Sequence, residues 1–173
     1  MHFDLTSASI EHQQRSVELA LSLGGRHFDV GQRGDEGHVV LADPEGNEFC
    51  VIEPGNTFLA GTPRIGALAG DGTRETGHFW SEMVGWPLVW DQHEETAIQS
   101  PRGGTKITWG GPPVAPKQGR NRLRWVLESD RSIQPEVARI EALDGVVLTT
   151  GPARIEWADP DGNEFVLDLA GTA

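Results

Sequence analysis

The chain has 173 residues, of which 37% are apolar and 23% charged, and a net charge of -12; this suits one globular domain, or a domain with part of another. That acidity argues against nucleic acid and anionic membrane as partners, because both select basic patches. The lone cysteine, Cys50, excludes an intramolecular disulfide, no apolar run is long enough to span a membrane, and "MHFDLTSASIEHQQ" lacks a signal-peptide pattern, so a cytoplasmic protein is expected.

In chain order, "MHFDL" alternates as a half-buried strand, with Phe3 and Leu5 on one face and His2 and Asp4 on the other. "SIEHQQRSVELALSLGG" predicts a helix with Ser9 as N-cap and Gly24-Gly25 as its stop. "RHFDVG", "HVVLAD" and "NEFCVIEP" follow as strands. The next stretch repeats the order: "RIGALAGD" as a strand, "GTRETGHFWSEMVGW" as a helix burying Phe79, Met83 and Trp80, then the strands "PLVWDQ", "ETAIQS" and "KITWGG". A third round gives "NRLRWVLES", the helix "SIQPEVARIEALDG", and the strands "VVLTTG", "RIEWAD" and "NEFVLDL".

Three β-α-β-β-β modules are therefore expected, at 1–55, 64–111 and 121–170, with a Gly/Pro-rich linker at 56–63. "ADPEGNEFCV" from Ala42 and "ADPDGNEFVL" from Ala158 repeat one turn-and-strand phrase. Its Asp, Pro and Gly are turn chemistry, so the shared part reads as scaffolding.

The module pattern, the repeated "ADPEGNEF" and "ADPDGNEF", and "FWSEMVGWPLVWD" resemble the vicinal-oxygen-chelate superfamily, which holds glyoxalases, bleomycin-resistance proteins and extradiol dioxygenases. The resemblance covers nearly the whole chain and is nearest to actinobacterial glyoxalase-like proteins with tandem domains. It implies an α+β fold whose modules pair into cup-shaped mixed sheets with helices outside. By that reading 64–170 is a complete two-module domain and 1–55 a half domain. An N-terminal module would be missing or supplied by a second subunit, and a homodimer through module 1 is expected to cover the exposed sheet.

The resemblance also implies where ligands lie: on the first and last strands of each module, facing the cup. Three residues after the turn Asn, where the family carries a carboxylate, this chain has Cys50 and Val166. The first-strand positions hold His2 in module 1, Arg64 in module 2 and Arg124 in module 3. Arginine does not ligate metals, so no metal is expected in modules 2 and 3. There, Arg64, Trp109, Arg124, Glu164 and Asp168 would line a metal-free cup for an anionic or aromatic small molecule, or form an internal salt-bridge network. His2 and Cys50, with Asp4 and Glu48 also pointing inward, would suit a divalent metal in module 1; a lone cysteine on an inner strand is more often a small buried apolar residue. Three functions stay open: small-molecule binding in a metal-free cup; a metal-dependent lyase, isomerase or dioxygenase; and a structural or interaction protein with filled cups.

Overall fold

A computed structural model of the chain describes residues 1–32, 36–114, 116–129 and 133–169. The first module contains β1 (His2–Leu5), α1 (Ile10–Ser22), β2 (Arg26–His27), β3 (Val39–Ala42) and β4 (Glu48–Val51). The second contains β5 (Ile65–Gly70), α2 (Arg74–Val84), β6 (Leu88–Gln92), β7 (Glu95–Ile98) and β8 (Lys106–Trp109). The third contains β9 (Trp125–Ser129), α3 (Ile133–Glu141), β10 (Val146–Thr150), β11 (Arg154–Ala158) and β12 (Glu164–Leu169). The fold is α+β with mixed sheets, as the sequence predicts. The expected start of the third helix at Ser132, and the expected module end at residue 170, lie outside the described residues.

Contacts divide the chain into two compact units: Met1–Gly70 with Ala97–Thr108, and Asp71–Thr96 with the chain from Trp109 onward. These contact units cut across the modules read from the sequence. Strand pairing supplies the reason. β1 pairs antiparallel with β5, so the first strand of module 2 continues the sheet of module 1. Helix α2 belongs instead to the unit that holds module 3.

In the first unit the sheet runs β2-β3-β4-β1-β5-β8. β1 pairs parallel with β4 and sets Asp4 opposite Cys50. α1 begins at Ser9, whose extended backbone turns its hydroxyl to accept the His12 N–H at 3.1 Å, one of the helix's otherwise unpaired donors. It ends where Gly25 N–H reaches the Ala20 carbonyl at 2.9 Å. Buried Gln13 ties the helix to the sheet by donating to the carbonyls of Val51 and Gly37. The expected strand "RHFDVG" is only Arg26–His27, both exposed at the sheet edge.

In the second unit the sheet runs β10-β11-β12-β9. α2 buries Phe79, Trp80 and Met83, the residues the sequence predicts, and also Thr76 and Gly77. Phe79 and Trp80 pack edge-on against Phe165 of β12, at 5.8 and 5.0 Å between ring centroids, and Trp157 stacks over Phe165 at 6.4 Å. Aromatic pairs of this geometry add to the burial itself.

Both turn motifs are scaffolding. The Asp43 carboxylate accepts from the backbone N–H of Glu45 and Asn47 at 2.9 and 2.8 Å, and Asp159 accepts from Asp161 and Asn163 at 3.1 and 2.9 Å. Gly46 and Gly162 hold φ of 87° and 82°, which a side chain would strain.

Truncating Trp80 removes the side chain that bridges α2 and module 3, so Trp80→Ala should cost about 3–5 kcal/mol in urea unfolding. Gly77→Val should also destabilise, because a Cβ there collides with the buried Thr96 side chain.

Candidate functional site

Register assigns the faces of the first sheet. Asp4 lies opposite Cys50 on β4 and Ala67 on β5, and Cys50 lies opposite Val40 on β3. Paired residues share a face and the period is two, so His2, Asp4, Cys50, Val40 and Ala67 look one way. Phe3, Leu5, Phe49 and Val51 look the other way, toward α1.

His2, Asp4 and Cys50 form a cluster whose ligand atoms all lie within 4.8 Å of one another. His2 Nε2 is 3.3 Å from Asp4 Oδ1. Asp4 and Cys50 are buried and His2 half-buried. The cluster borders an apolar wall of Val40, Ile52, Leu59 and Ala67, with Phe28 and Phe58 packed against it. Lys106 closes part of this region: it is buried and donates Nζ–H to the Phe58 carbonyl at 2.6 Å, and burial pushes its ammonium pKa down.

The Cys50 thiol is pushed up to about 12, first by burial, then by the negative charge of Asp4 and its hydrogen bond, then by Glu48. Without a cation, this thiol stays protonated beside Asp4. The donors fit a divalent transition metal: an imidazole nitrogen, a carboxylate oxygen and a thiol sulfur converge from neighbouring strands. Zinc-type catalytic sites commonly use three such protein ligands and leave one position open. A cation would also reverse the local field that keeps the thiol protonated.

The other predicted site residues divide between the two units, Arg64 in the first and Trp109, Arg124, Glu164 and Asp168 in the second. Arg64 precedes β5, and its guanidinium donates to the Thr6 carbonyl and, at 2.7 Å, to Ser16 Oγ on α1. It therefore reaches the helix side of the sheet rather than the Cys50 side. Arg124, Glu164, Asp168 and Trp109 belong to the second unit. There Arg124 and Arg120 both pair with Glu156, Lys117 sits 2.6 Å from Glu164, and Arg154 clamps Asp168 through two bonds of 2.6 and 2.9 Å. Trp109 is buried, with its ring against Gly72. Val166 pairs with Val126 and Glu156, so this face holds valines between ion pairs.

Asp4 was legible in the sequence as an inward-facing helper of His2 and Cys50; the structure makes it a full member of the cluster. Lys106 carried no signal beyond its place on a strand. Of the remaining histidines, His12 Nδ1 accepts the Ala8 N–H at 3.0 Å, and His78 Nε2 lies 3.2 Å from an Asp91 oxygen that Arg74 also binds.

Residues 1–52 and 67–167 match the family model described as a Glyoxalase-like domain. Among curated proteins, none matches the chain. Among solved structures, glyoxalase I from Zea mays aligns over 98% of this chain and 66% of its own, at 15% identity and a TM-score of 0.65. FosX, a fosfomycin resistance protein from Listeria monocytogenes, aligns over 61% of this chain and 90% of its own, at 16% identity and a TM-score of 0.47. A glyoxalase/bleomycin resistance protein/dioxygenase family enzyme from Burkholderia phytofirmans aligns over 61% and 95%, at 9% identity and 0.47. The chain thus spans about two thirds of the length of the maize enzyme, and the likeness to it is one of fold.

The raised Cys50 pKa has a signed consequence. Its stabilising contribution is fully present below the ordinary thiol pKa and is lost as pH rises from there toward about 12. In metal-free buffer the unfolding free energy should fall by up to about 1.4 kcal/mol per pH unit above roughly pH 9. Cys50→Ala should show a shallower decline over the same urea titrations.

Proposed function

The chain belongs to the glyoxalase-like domain family of the vicinal-oxygen-chelate superfamily, and on that premise we propose that it binds a divalent transition metal through His2, Asp4 and Cys50 and acts on a small molecule held beside them. The observation that carries this reading is the convergence of three ligand atoms of different chemistry within 4.8 Å. When bound, the metal would supply Lewis-acid polarisation of substrate oxygens, the chemistry of a lyase, isomerase or dioxygenase. The chain's own residues do the rest. Asp4 offsets cation charge and orients His2; the wall of Val40, Ile52, Leu59 and Ala67 excludes water from Cys50.

The metal-free reading, with Arg64, Trp109, Arg124, Glu164 and Asp168 around an anionic or aromatic ligand, draws less support. Each of the four charged groups already has a partner, and displacing a salt bridge to bind a ligand sacrifices that interaction. A filled, structural face suits the second unit better.

Purified protein stripped of metal and dialysed against Co(II) or Zn(II) should retain about one equivalent per chain. The Co(II) form should show thiolate-to-metal charge-transfer absorption that disappears in Cys50→Ser. Asp4→Asn should weaken uptake about tenfold to a hundredfold. A folded wild-type chain that takes up no stoichiometric metal would refute the proposal.

A further inference from the structure

A buried cation, Lys106, lies on the Cys50 side of the first sheet. It opens β8, which follows β5 in the order β1-β5-β8. Thr105 Oγ1–H donates to the Ile65 carbonyl at 2.8 Å and pins the start of β8 to the start of β5. Lys106 Nζ–H donates to the Phe58 carbonyl at 2.6 Å, and Phe58 packs against Val40, Cys50, Ile52, Leu59 and Ala67. That carbonyl is itself held in place. Asn56 Oδ1 accepts the Leu59 N–H at 3.1 Å, and Asn56 Nδ2–H donates to Glu53 Oε1 at 2.7 Å.

The Lys106 side chain has three N–H donors, and the residue is only 6% exposed. Among the described residues the Phe58 carbonyl is its one acceptor, and no carboxylate pairs with it. Burial alone acts on its pKa, pushing it down, whereas a carboxylate alongside would push it up. The chain's other lysine, Lys117, has its Nζ 2.6 Å from Glu164. A buried charge without a counter-charge is costly. The charge is also peculiar to module 2: the first position of the matching strands holds Glu48 in module 1 and Glu164 in module 3.

We propose that Lys106 is the anion-binding residue of the site, and that the small molecule held beside His2, Asp4 and Cys50 is a monocarboxylate with an apolar body. The carboxylate accepts the two free N–H groups of Lys106 in charge-assisted hydrogen bonds. The apolar body lies along Ile52, Leu59 and Ala67. Charge selects a carboxylate over a phosphoryl dianion. Asp4 and Glu48 already place negative charge around Cys50, and one ammonium balances one negative charge. Lys106 meets substrate in this role only if the metal cluster acts as proposed above, whereas its grip on a carboxylate needs no metal.

The probes are isocaproate and its neutral isostere isocaproamide, titrated into the metal-free full chain carrying isotopically labelled lysine. Lys106 and Lys117 are the chain's only lysines, so NMR at the lysine ε-carbon reads Lys106 directly. Its signal should shift saturably with isocaproate, which should bind at least about tenfold tighter than the amide. In Lys106→Met, checked for folding by circular dichroism, that preference should fall below about twofold. Equal binding of acid and amide overturns the proposal, as does a preference that survives Lys106→Met. If the variant does not fold, the wild-type signal decides: a Lys106 ε-carbon that stays still during the isocaproate titration overturns the proposal. Tighter binding of the matching phosphonate dianion assigns Lys106 to phosphoryl ligands and overturns the carboxylate assignment. Metal uptake, measured on the same preparation, separates the two readings. Carboxylate selectivity without uptake refutes the metal centre and supports the role of Lys106; uptake without selectivity refutes that role alone.

Discussion

The pairing of β1 on both sides is the constraint on which the first unit depends. A four-residue strand sits between parallel β4 and antiparallel β5. Its hydrogen bonds place Asp4 level with Cys50 on one side and Ala67 on the other. The small side chain of Ala67 leaves room beside the cluster, and the same register turns Phe3 and Leu5 to the opposite face. One strand therefore fixes the polar cluster and the apolar face toward α1 at once. A slip by a single residue would exchange the two faces, bringing Phe3 beside Cys50 and sending Asp4 under α1.

The repeated turn shows how a shared scaffold comes to serve different ends. Asp43 and Asp159 make the same backbone bonds within their own turns. Asp159 also receives an indole N–H under a covering helix, and burial pushes its carboxyl pKa up. Asp43 stays open, and Asn47 holds its carboxyl below the usual range. On the inward side the divergence is larger. Where module 1 has Asp4 and Cys50, module 3 has Val126 and Val166, and the charges around those valines close on one another.

What the sequence made legible was local. The Ser9 cap, the Gly24-Gly25 stop, the buried stripe of α2 and both turns follow from signals within a few residues. The inward direction of His2, Asp4 and Cys50 follows from alternation along two short strands. Long-range choices were not legible. Nothing within 64–111 says that β5 prefers β1 to a partner in module 3. The surroundings of Arg64 were not legible either, because β5 begins one residue later and the β1–β5 register shifts between Asp4 and Leu5. The ion pairs of Arg124, Glu164 and Asp168 join residues distant in sequence, so only the folded chain shows them satisfied.

The segment 56–63, read in the sequence as a Gly/Pro-rich linker, is built into the first unit. Leu59 is buried in the wall beside Cys50, its N–H is held by Asn56 Oδ1, and Thr62 bonds back to its carbonyl. The neighbouring Phe58 carbonyl is anchored by Lys106. This stretch is a brace rather than a hinge. Proteases that seek loose loops would find little purchase there, and a gene cut at this point would strip the first module of part of its core as well as its neighbouring strand.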